Sequence, residues 1–98
     1  MAQFDVYRLG ADALVVDIQS DLVDTLANRI VVPLLPVDDA PQPIGRVNFA
    51  LSINGADYMV ETQYIASVPT VALTRPVASV PQYRDEITRA LDMLFHGI

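Results

Sequence analysis

The side chains able to do acid–base or nucleophilic chemistry are few in this sequence. There is a single histidine, His96, and no cysteine. The absence of cysteine removes disulfides, thiol nucleophiles and thiolate metal sites together. No glycine-rich phosphate loop and no paired histidines occur, so neither a cofactor nor a metal site is expected. A nucleophile–base pair would have to borrow His96, almost at the C-terminal end. Asp17, Asp21 and Asp24 lie close together. Their setting is rich in turn residues, where short carboxylates accept from nearby N–H groups, so turn and capping duty is expected of them rather than metal binding. The six basic residues are all arginine, spread from Arg8 to Arg89, and the net charge is −6. With no basic cluster and an overall field that repels polyanions, direct nucleic-acid binding is not expected. These residues predict a protein that binds and does not catalyse.

The elements that must position these groups read as one domain spanning residues 1–98. Hydrophobic residues make up 52% of the chain and charged residues 18%, ample for a single core. No apolar run approaches the roughly 20 residues that span a bilayer, and the start lacks signal-peptide features, so a cytoplasmic location with no membrane contact is expected. Residues 3–8 alternate, with Phe4 and Val6 on one side, and predict a first strand. Residues 13–20 predict a second, followed by turn chemistry around Leu22 and Val23. Residues 29–35 predict a third strand, with Pro33 at an edge or a bulge because it lacks a ladder donor. The proline-rich stretch 36–45 predicts a loop. Asn54-Gly55 between alternating runs predicts a type I′ hairpin joining 46–53 to 56–62. A further strand is expected over 68–73. Tyr83, Ile87, Ala90, Leu91 and Leu94 share one helical face, with Ser79 as a candidate cap, Pro81 in the first turn and Gly97 as the stop. The expected class is mainly β with one C-terminal α-helix.

Several blocks of the sequence resemble the CcdB toxins of bacterial toxin–antitoxin modules, which poison DNA gyrase. Gln3-Phe4 with Val6-Tyr7 resembles the family's opening strand. Val16-Asp17, Gln19-Ser20-Asp21 and Asp24-Thr25 resemble its second strand and following loop. Val31, Pro33-Leu34 and Ala66-Ser67-Val68-Pro69 fit further blocks, and Ala90 to Phe95 with Gly97-Ile98 fits its terminal helix and tail. The resemblance implies an SH3-like antiparallel β barrel in a homodimer. It also implies a topoisomerase poison that binds the A subunit of DNA gyrase and traps cleaved DNA, neutralised by a CcdA-like antitoxin. The implied gyrase-binding positions are Leu22, Val23, Asp92, Phe95, His96, Gly97 and Ile98. Two of them depart from the family pattern, which has tryptophan in place of His96 and usually an amide in place of Asp92. A smaller ring offers less face for stacking on an arginine of the target.

Each position also has a plain structural reading. Leu22, Val23 and Phe95 could serve the core, and Gly97 could simply end the helix. The same barrel serves ribonuclease toxins, which need a general base, a general acid and an arginine for phosphate charge. The sequence does not place such groups together in one groove. A third reading is a non-toxic antitoxin-binding adaptor.

Overall fold

A computed structural model describes residues 2–10, 13–23 and 25–97. Seven antiparallel strands form one curled sheet: β1 (Asp5–Leu9), β2 (Ala13–Asp17), β3 (Asn28–Pro36), β4 (Asn48–Ile53), β5 (Ala56–Glu61), β6 (Ala66–Pro69) and β7 (Pro76–Ser79). The spatial order is β4-β5-β3-β2-β1-β7, with β6 also paired to β3. One helix, α1 (Arg84–His96), follows a short 3₁₀ turn over Pro81–Tyr83. The expected class, mainly β with a C-terminal helix, is the class observed. No described helix is long and apolar enough to cross a membrane.

Strict alternation gives the sheet two buried faces. Val6, Val16, Val32, Leu34 and Val60 pack with Leu51, Ile53, Val80 and Ile87, the last from α1. Their sequence neighbours Tyr7, Val15 and Val31 point the other way and pack with Leu73, which the chain brings in after β6. Successive strand residues face opposite sides, so one run of alternating residues supplies both layers. Asn54 and Gly55 have φ of 53° and 85°, and Ile53 pairs with Ala56, as a type I′ turn requires. Gly97, at φ 72°, donates its N–H to the Met93 carbonyl and closes α1 as expected.

Three expectations need correction. Pro33 lies on neither an edge nor a bulge, because β3 is central and pairs with β2 on one side along Val31–Leu34. On its other side β3 pairs with β6 through Val31 and with β5 from Leu34 onward. Val32 and Pro33 fall in the gap where β3 changes partner, so that side of the ladder asks for no donor there. The strand expected over 68–73 ends at Pro69, and Thr70–Ala72 form a 3₁₀ turn. Ser79 does not cap α1: it belongs to β7 and pairs with Asp5. Tyr83 holds the cap position without a side-chain hydrogen bond.

Candidate functional site

The polar residues of the second strand and its loop form a buried brace. Asp17 and Arg29 are 0% and 1% exposed. Arg29 donates from Nε to Asp17 Oδ2 at 2.8 Å, and its Nη2 lies 2.7 Å from the same oxygen. Nη2 also reaches the Gln19 carbonyl at 3.3 Å and Asp21 Oδ1 at 3.6 Å. Gln19 completes the brace: its side chain donates to the Val23 carbonyl at 2.7 Å and accepts from Ile30 N–H at 3.1 Å. Burial pushes the Asp17 carboxyl above its ordinary range, against the pull of Arg29 and of the Gln19 N–H. Burial, reinforced by Asp5 and Asp17, likewise raises the Tyr7 phenol. Of the turn duty expected of these aspartates, Asp17 performs it by accepting from the Gln19 N–H at 3.0 Å, whereas Asp21 makes a long-range bond, accepting from the Gln3 N–H at 2.8 Å; Asp24 lies outside the described residues.

The brace holds out a loop whose described residues are all exposed. Leu22 is 94% and Val23 44% exposed, both in a 3₁₀ turn over Asp21–Val23. At the end of α1, Phe95 is 60% exposed, and His96 and Gly97 are exposed as well. Asp92 is half-buried, and Ile98 lies outside the described residues. The core reading of Leu22 and Phe95 therefore fails, since folding accounts for neither side chain.

A second arrangement is one that the sequence does not reveal. Along one flank of α1, Glu86 and Arg89 face Arg46, Asn48 and Phe49 across a shallow cavity of about 180 Å³. Farther along the same flank, Met93 and Gly97 face Ile44–Val47 across a larger one of about 560 Å³. Arg46 lines both. Among the described residues Arg46, Arg89 and Glu86 make no ion pair within 4.0 Å; only Arg29 does. Asn48 forms the floor and fixes the turn that carries Arg46. Its Oδ1 accepts from Ile44 N–H at 2.8 Å, and its Nδ2 reaches the Val60 carbonyl, Glu61 Oε2 and Gln63 Oε1. The only sequence signal for this cavity is that Glu86 and Arg89, one turn apart on α1, stand off its apolar stripe. Arg46 sits beside an aperiodic loop and gives none.

A curled antiparallel half-barrel closed by a single C-terminal helix, with an exposed loop after its second strand, defines the class of fold. The chain belongs to the CcdB family: the family model described as CcdB protein matches residues 3–97. Among solved structures, an endoribonuclease from Mycobacterial species in complex with its cognate antitoxin is similar, with TM-score 0.78 and 16% identity, covering 95% of this chain and 92% of that one. A second endoribonuclease from Mycobacterial species gives TM-score 0.79 and 16% identity, covering 95% of this chain and 88% of that one. At that identity the likeness is one of fold. It nevertheless corrects the expectation that this protein is not an enzyme, because proteins of this fold are named endoribonucleases. The lack of a nucleophile–base pair does not by itself exclude RNA cleavage, since RNA carries its own nucleophile in the ribose 2′-hydroxyl.

Proposed function

We propose that this protein is the toxin of a toxin–antitoxin module, acting in the cytoplasm as a homodimer, neutralised by a cognate antitoxin and toxic through RNA cleavage. The observation that carries the reading is the convergence in one cavity of the Glu86 carboxylate with two guanidinium groups, Arg46 and Arg89, that make no ion pair among the described residues. Glu86 takes the proton of a ribose 2′-hydroxyl as its oxygen attacks the adjacent phosphorus. The two guanidinium groups donate N–H bonds to the non-bridging oxygens, where negative charge builds up. The bond to the 5′-oxygen breaks, that oxygen takes a proton from water, and a 2′,3′-cyclic phosphate remains. The complex of a similar endoribonuclease with its antitoxin supports the neutralising partner.

The test incubates purified protein with single-stranded RNA in the absence of gyrase. Cleavage is expected to leave cyclic-phosphate ends. Glu86→Gln should slow it about 10²–10⁴-fold, and Arg46→Ala with Arg89→Ala about as much or more. Intact RNA, or full activity in the double arginine variant, would overturn the reading.

The exposure of Leu22 and Phe95 favours a second reading, binding of the gyrase A subunit through Leu22, Val23, Asp92, Phe95, His96, Gly97 and Ile98. On that reading the same preparation accumulates cleaved supercoiled DNA only when gyrase is added, and His96→Trp increases the yield.

A further inference from the structure

We infer that the cavity between α1 and β4 is a subsite for one nucleotide of single-stranded RNA, with its phosphate on Arg46 and Arg89 and its base stacked on Phe49. RNA as the substrate class, and Glu86 as the group that takes the 2′-hydroxyl proton, rest on the proposed cleavage activity; the rest of the argument rests on the cavity itself. Phe49 lines the cavity and is only half-buried, although it packs against the main core. Its ring is held in place: the Tyr83 ring lies 6.4 Å away at 33°, and the Tyr83 hydroxyl accepts the Ser52 N–H at 3.1 Å. A fixed aromatic ring beside two guanidinium groups that make no ion pair among the described residues matches what a single strand offers, a flat base next to a charged phosphate.

The polar groups around the ring limit how a base could be read. Asn48, the one amide in the cavity wall, directs Nδ2 at three protein acceptors, and its Oδ1 already accepts from Ile44. It has no donor left for a base edge. Glu86 is committed to the 2′-hydroxyl. Stacking alone then sets the preference, which favours the larger purine rings and treats adenine and guanine alike.

The experiment titrates the isotope-labelled full chain with adenosine 3′-monophosphate, cytidine 3′-monophosphate and inorganic phosphate, following Arg Nε–H and Phe ring signals by NMR. All three ligands should move the Arg46 and Arg89 signals. Only the nucleotides should move those of Phe49, and the adenosine nucleotide should bind about fivefold tighter than the cytidine one. Phe49→Leu should abolish that advantage and leave phosphate binding unchanged, whereas Phe49→Tyr should preserve it. The inference fails if the adenosine nucleotide binds no tighter than inorganic phosphate, or if its advantage survives Phe49→Leu. Nucleotide binding as described with RNA left intact would support the subsite and sink the cleavage reading. Cleavage with Phe49 signals unmoved by nucleotide would do the reverse.

Discussion

Two arginine-bearing regions of this molecule spend their charge in opposite ways. Arg29 is 1% exposed, and its Nε and Nη2 are bound to Asp17 and the Gln19 carbonyl. Arg84 is also engaged, 4.8 Å above the ring of Phe4. Arg46 and Arg89 stand in solvent beside a carboxylate that neither of them pairs with. The same side chain therefore serves folding in one place and remains available to a ligand in the other. A net charge of −6 conceals this, because it averages arginines already paired with arginines that make no ion pair among the described residues.

The sharpest way to break the comparison is to remove Arg29. Arg29→Ala leaves the Asp17 carboxylate buried without its cation and should cost about 3–5 kcal/mol in urea unfolding. Asp17→Leu combined with Arg29→Met should recover most of that loss, since a buried pair is often replaceable by apolar side chains. A cost below about 1 kcal/mol for Arg29→Ala would mean that the brace is not structural.

A smaller effect comes from Tyr7 on the same face of the sheet. Its phenol is raised above the ordinary value of 10.0. The folded state holds that proton more tightly than the unfolded chain. Stability from this group is fully present below pH 10 and is lost as pH climbs from there through the folded value, by up to about 1.4 kcal/mol per pH unit. Urea midpoints measured between pH 9 and pH 11.5 should show the decline, and Tyr7→Phe should flatten it. A wild-type midpoint that holds steady across this range would refute the assignment.

The smallest expected stability change belongs to the other region. Arg46→Ala with Arg89→Ala should shift unfolding by no more than about 0.5 kcal/mol, because neither guanidinium has an ion-pair partner among the described residues. A loss comparable to that of Arg29→Ala would erase the distinction between the two regions. Leu22→Ser should be equally quiet in unfolding, and it should weaken target capture if the gyrase reading holds.

The features legible in the sequence are those written into short stretches. Asn54-Gly55 declares its hairpin, Gly97 its helix stop, and Val6 against Tyr7 the two faces of a strand. The family resemblance drew attention to Leu22, Val23 and Phe95, and the structure finds all three exposed. What could not be read depends on how distant segments pair. Asp17 meets Arg29 because β2 and β3 align Asp17 with Val31, two residues from Arg29 along one face. Arg46 meets Arg89 because the aperiodic stretch before β4 lies along α1, and no local pattern encodes that. β7 leaves no mark in the sequence because Pro76–Ser79 is too short to show a period, and its pairing partner, β1, lies at the other end of the chain.

The change of partner at Pro33 has a consequence for how this chain tolerates changes in length. Were β5 and β6 one continuous strand along β3, a single inserted residue would turn every following side chain to the wrong face. Here the two ladders stop on either side of Val32 and Pro33, and a 3₁₀ turn over Thr62–Tyr64 joins them. Each ladder keeps its own register. Among relatives, insertions and deletions should therefore gather at the exposed Tyr64, beyond the Gln63 side chain that holds Asn48, where the sheet can gain or lose a residue without relearning which side of β6 is inside.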